Sequence, residues 1–176
     1  MRVPELAQQT NTLVAIVLGA VLATLGGFVA TLLEAHVRKR ELQRASALMI
    51  GEVLASVRGL VRAIEDAHSR GDPFGGITLR LVRAGRREIE CYERYRSVLS
   101  DLRSPDLRLS VHGVMVRLTL AIDGILEGDR RERELAYEYL LELAPTIDPL
   151  VERLVPLAGQ PIQPYLALTG SLPPVV

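Results

Sequence analysis

Residues 12–33 read TLVAIVLGAVLATLGGFVATLL, twenty-two consecutive positions without a charged side chain. As an α-helix rising about 1.5 Å per residue, the run reaches about 33 Å, enough for a bilayer core of about 30 Å. A helix in lipid satisfies its backbone polar groups within the segment. The run is longer than the apolar core of a typical secretory signal. The residues before it offer only Arg2 and the α-amine as positive charge, with Glu5 partly offsetting them. The reading is therefore a transmembrane helix at 12–33 behind a short tail at 1–11. A cleaved signal peptide and a buried soluble helix are the competing readings.

The flanks predict orientation. Arg38, Lys39, Arg40 and Arg44 follow the run, with His36 beside them. Basic residues near the end of a span favour the cytoplasmic side. The expectation is a single-pass protein of a bacterial inner membrane, N-terminus outside and C-terminal domain cytoplasmic. Cys91 is the only cysteine, so no intrachain disulfide can form, which suits a reducing compartment. Within the run, Ala15, Gly19, Ala23, Gly27 and Thr31 recur every four residues. They form one stripe of small side chains, the kind that lets helices approach closely in lipid. The expected partners are the lipid bilayer and a second copy of the chain or another membrane protein.

Beyond the run the pattern stays helical. Residues 34–46 read as a basic juxtamembrane stalk and 47–159 as a cytoplasmic helical domain. Ala47, Ile50, Leu54, Val57, Val61 and Ile64 step by threes and fours, one face of a helix. Arg70-Gly71-Asp72-Pro73 stops it. The next segment is ambiguous. Ile77-Thr78-Leu79-Arg80-Leu81 alternates like a strand but no partner strand is in sight, so a helix is read from Ile77 or Arg86 to Leu102. Its apolar face is Leu81, Ile89, Tyr92, Tyr95 or Arg96, Leu99 and Leu102. Ser104-Pro105-Asp106 is a helix start, and Leu107, Val111, Val114, Leu118, Ile122 and Ile125 supply the third stripe. Gly128 ends that helix and Asp129 caps the next. The fourth stripe is Ala136, Tyr139 or Leu140, Leu143, Ile147, Leu150, Leu154 and Leu157. It passes through Pro145 and Pro149, which predicts a kinked helix, or a separate short helix capped at Asp148-Pro149. Residues 160–176 read as a proline-rich extended tail. The fold class expected is all-α: a transmembrane helix continuing into a small antiparallel bundle of about four helices.

The layout resembles a loose class of small uncharacterised bacterial membrane proteins. These have a glycine-rich N-terminal span (here LGAVLATLGGFVATLL), a basic stretch (here HVRKRELQRASALMIGEVL) and then a helical domain. The resemblance covers mainly residues 12–55 and implies no activity and no functional residue.

Composition excludes several classes. The 21 basic and 21 acidic residues balance, so no charge excess points to nucleic acid. Lys39 is the only lysine, and the arginine-rich remainder fits the codon bias of a GC-rich genome. Glu65-x-x-His68 has the spacing of di-iron carboxylate bundles, but neither His36 nor His112 follows a glutamate at that spacing. Arg87 and Arg94 stand within helical reach of Cys91, without a nearby histidine. No phosphate-binding glycine loop, zinc cluster or serine nucleophile elbow is present. No cofactor, metal or small-molecule substrate is expected, and no enzyme activity.

Charge is unevenly placed. Residues 77–103 carry a net charge of +3 and residues 129–160 a net charge of −3. Arg80, Arg83, Arg87 and Arg94 share one helical face, and Glu134, Glu138 and Glu142 share another. These are either salt bridges between helices and solvated surface, or an arginine face against anionic lipid. The function expected is a membrane-anchored interaction or scaffold protein. The alternative is a sensor or regulator that relays helix motion, with a phage-type membrane-disrupting protein behind both.

Overall fold

A computed structural model describes residues 3–164, with side chains from Leu18 onward. The described residues are all-α, without a strand. Five α-helices follow one another: α1 (Val3–Ser69), α2 (Gly76–Arg94), α3 (Pro105–Glu127), α4 (Arg130–Leu143) and α5 (Ile147–Ala158). Short 3₁₀ segments at Arg96–Asp101 and Ala144–Thr146 join α2 to α3 and α4 to α5. The chain divides into two compact units, Met1–Glu41 and Leu42–Val176.

In the first unit, Leu18, Leu22, Leu25, Phe28, Leu32 and Leu33 all stand exposed. At about 100° per residue they share one broad side of the helix, with Gly19, Ala23, Gly27 and Thr31 on the other, and none is packed in a protein core. Thr24 and Thr31 donate their hydroxyls to the carbonyls of Ala20 (2.8 Å) and Gly27 (2.9 Å), four residues back. Their polar atoms are thus satisfied inside the helix.

The second unit has a single hydrophobic core. Ala47, Ile50, Leu54, Val57, Val61 and Ile64 of α1 are buried, as their spacing predicts. So are Leu107, Val111, Val114, Leu118, Ile122 and Ile125 of α3. Val82, Ile89 and Tyr92 of α2, Leu140 and Leu143 of α4, and Ile147, Leu150 and Leu154 of α5 close on the same cluster. Each large apolar side chain fully removed from water contributes about 1.5–3 kcal/mol, which makes these faces the main source of stability. α3 is long and apolar enough to cross a membrane, but 39% of its apolar window is buried in this core. Ile162, beyond α5, lies so close to Gly51 of α1 that a Cβ there would collide with it.

Local signals set the helix ends. Ser104 Oγ accepts from Leu107 N at 3.3 Å, with Pro105 opening the first turn of α3. Asp129 and Glu132 make a reciprocal capping box at α4, at 2.9 and 2.8 Å. At α2, Asp72 does the same work from outside the helix. Its carboxylate accepts from Ile77 N (2.9 Å) and Thr78 N (2.8 Å), satisfying amides that a helix start leaves free.

One expectation is corrected: α2 stops at Arg94 rather than running to Leu102. The alternatives left open are decided, and the alternating Ile77–Leu81 segment is helix. The chain then tightens into 3₁₀ at Arg96–Asp101, which turns Leu99 and Leu102 inward but leaves both Tyr95 and Arg96 exposed. On α4, Leu140 and not Tyr139 faces the core. Between α4 and α5 the backbone stays right-handed helical and gives way only at the 3₁₀ turn around Pro145, whose missing N–H and ring oppose a regular α turn. Asp148 caps no separate helix; it lies in the first turn of α5 and bridges to Arg58 of α1 at 3.3 Å.

Candidate functional site

The residues singled out from sequence fall on two surfaces, one in each unit. On the first, Gly19, Ala23, Gly27 and Thr31 lie in α1 and are exposed. Ala15 lies outside the residues whose side chains are described. A Cβ added at Gly19 or Gly27 would meet nothing within 4 Å, so the stripe is open to whatever surrounds the helix. Arg38, Lys39 and Arg40 follow it, all exposed. Arg44 belongs to the second unit. It sits beside Gly159, where a Cβ would come within 3.7 Å of its Nε, and so near the carbonyl end of α5. A guanidinium there is favoured by the helix dipole.

The second surface is α2. Thr78, Val82, Gly85, Ile89 and Tyr92 are its buried face. Arg80, Arg83, Arg87 and Arg94 lie opposite, all exposed and without an ion pair among the described residues. Among the described residues no ion pair joins this face to the α4 glutamates. Glu134 pairs instead with Arg130 on its own helix at 3.5 Å. The arginine that ties α2 to its neighbour is Arg86, which contacts Asp123 and also Glu127 of α3 at 3.3 Å. From sequence Arg86 is only a possible helix start and one charge among those of residues 77–103. The selection is rotational: Arg86 lies off the free arc, toward α3, and the other four point away.

Tyr92 lies at the inner edge of α2. Its hydroxyl is 3.3 Å from His112 Nδ1 of α3. Burial, with a smaller push from Glu93, raises the phenol to about 12, and Arg96 opposes the shift. Glu88 on the same helix is also raised, chiefly by burial and against Arg87. Cys91 is half-buried and free.

A third feature escaped the sequence. His68, at the end of α1, stacks on Tyr137 of α4 with ring centres 4.1 Å apart. Phe74 meets both rings edge-on. Phe74 has φ 59, a strained backbone for a bulky residue. Beside this trio is an open cleft of about 640 Å³, bordered by Phe74, Arg130 and Arg133. Both arginines are engaged locally, Arg130 with Glu134 and Arg133 Nε with the Gly128 carbonyl at 2.9 Å. Burial, followed by the nearby Glu65, raises the Tyr137 phenol. No signal in the sequence pairs His68 with a residue so far along the chain.

Leu109, Val116 and Leu120 form an exposed apolar line on α3, opposite its core face. Among the described residues no group of three His, Cys, Asp or Glu side chains could hold a metal ion. Comparison with protein-family models, with curated proteins and with solved structures finds no match to this chain.

Proposed function

We propose that the chain is a single-pass, membrane-anchored interaction protein. Residues 12–33 cross an inner membrane with the N-terminus outside, and the helical domain works on the cytoplasmic side. The observation that carries this reading is an uncharged stretch of α1 whose large apolar side chains between Leu18 and Leu33 are all exposed, none of them packed in a protein core. Such a helix needs lipid or a partner. The internally bonded hydroxyls of Thr24 and Thr31 support lipid. The basic flank supports the orientation. The open stripe from Gly19 to Thr31 supports packing on a second copy or on another membrane helix.

A fusion experiment tests the anchor and its orientation. An alkaline phosphatase placed after Val176 should be inactive, and a fluorescent protein there should fold and emit. The protein should also stay in the membrane fraction through alkaline carbonate extraction. An active phosphatase would reverse the orientation. A soluble product lacking residues 12–33 would make the segment a cleaved signal. A second reading, a regulator that relays helix motion, draws on α1 being assigned as one helix from Val3 to Ser69.

A further inference from the structure

We infer that the basic rim formed by Arg94, Tyr95, Arg96 and Arg103 docks on anionic phospholipid headgroups. The inference rests on the anchor reading above and adds to it a specific lipid-facing end of the domain. The 3₁₀ segment Arg96–Asp101 is fixed to the start of the second unit. Ser46 Oγ donates to Asp101 Oδ2 at 3.1 Å, only four residues after the unit begins at Leu42. Leu99 and Leu102 are buried beneath the rim and hold its backbone. Arg108 reaches back to the Ser100 carbonyl at 3.4 Å. The rim is therefore a prearranged surface.

Chain connectivity bounds how far it can lie from the apolar run. Ser46 follows Leu33 by thirteen residues. That length reaches at most about 45 Å fully extended and about 20 Å as helix. Arg94, Arg96 and Arg103 are exposed and without an ion pair among the described residues. Tyr95 is exposed between Arg94 and Arg96. Guanidinium forks match phosphate oxygens, and tyrosine rings favour the headgroup level. The acids of this end are Glu93, Asp101 and Asp106, and Asp101 is already engaged by Ser46. Arg80 does not share the rim. It lies fourteen residues before Arg94, about 21 Å along α2, toward the loop that follows Ser69. Of the arginine face, only Arg94 stands at the right end.

The test uses the full chain with Cys91→Ser and a fluorophore on Ser97→Cys, an exposed position in the 3₁₀ segment. The protein is reconstituted in vesicles of phosphatidylcholine alone or with phosphatidylglycerol, each containing a headgroup spin label. Flotation with both kinds of vesicle reports the anchor. Quenching of Ser97→Cys reports the rim. We expect flotation in both, and quenching that is strong with phosphatidylglycerol and weak without it. Each basic residue near an anionic surface contributes about fivefold to partition. R94Q, R96Q and R103Q together should therefore lower docking by well over tenfold while flotation persists. Raising salt on the unsubstituted rim should have the same effect, which protects the test from a folding defect in the triple variant. A label at Arg131→Cys, beside the capped start of α4, should stay unquenched. Failure to float would overturn the anchor and this inference with it. Flotation with equal quenching in both lipids, or with none in either, would overturn the inference alone and leave the rim to water or a protein partner.

Discussion

α1 contributes to two units that handle apolar side chains in opposite ways. In the first, Leu22 is 62% exposed and its large apolar neighbours are exposed with it. In the second, Ile50, Leu54, Val57 and Ile64 are each 1% exposed and confined to one face. The same residue types thus serve two solvents. A helix with no charged residue on any side and its large apolar side chains exposed belongs where the surroundings are apolar. A helix with one apolar stripe belongs in water beside other stripes. What distinguishes them is the arrangement of charge. Residues 12–33 have none, whereas from Glu34 onward charged residues return and define a solvent face.

This contrast is broken most sharply at the core. Leu118→Ala in α3, fully buried, should destabilise the second unit by about 2–5 kcal/mol, through lost burial and the cavity left behind. Leu22→Ala should leave the same melting transition unchanged. Denaturation of the full protein in detergent, followed by circular dichroism, checks both. Equal effects would mean that Leu22 also belongs to a protein core.

Close packing gives a smaller effect. A Cβ at Gly124 of α3 would come within 2.8 Å of the Ala136 Cβ on α4. Gly124→Val should therefore force the two helices apart and cost about 1–3 kcal/mol. Gly27→Val meets open space in α1 and should not alter that transition.

Alkaline pH sharpens the comparison inside the second unit. The Tyr92 phenol is raised from 10.0 to about 12, so the folded state holds a proton that the unfolded chain gives up. Stability should be flat below pH 10 and should fall between about 10 and 12. Tyr92→Phe removes that slope, measured as melting temperature against pH. A slope that survives the substitution would assign it elsewhere.

The smallest effects separate arginines on one helix. Arg86→Gln loses its contacts with Asp123 and Glu127 and should cost up to about 1 kcal/mol, screened by partial exposure. Arg87→Gln, which has no ion-pair partner among the described residues, should stay within about 0.5 kcal/mol.

Much of this was legible in the sequence because helices report themselves locally. The α1 and α3 stripes, the Ser104 and Asp129 caps and the stop after Ser69 all depend on neighbours within about four residues. What was not legible depends on partners far along the chain. The break at Tyr95 follows from turning Leu99 and Leu102 inward, a choice made by the core. Arg86 rather than Arg87 binds α3 because of helix rotation, which charge counting cannot resolve. His68 meets Tyr137 only once α1 and α4 are packed. The same holds at the surface: the arginine arc on α2 follows from local spacing, but the position of Arg94 at the Ser46 end depends on the contact with Asp101.

The division between lipid and water is tested most directly by cysteine accessibility in native membranes. In a Cys91→Ser background, single cysteines at Leu18, Leu22, Leu25, Val29 and Leu32 should resist a membrane-impermeant maleimide even after the membranes are opened. Cysteines at Arg38, Arg40 and Arg44 should react, and only after opening if the domain is cytoplasmic. Ready labelling between Leu18 and Leu32 would place that helix in water and contradict the membrane anchor.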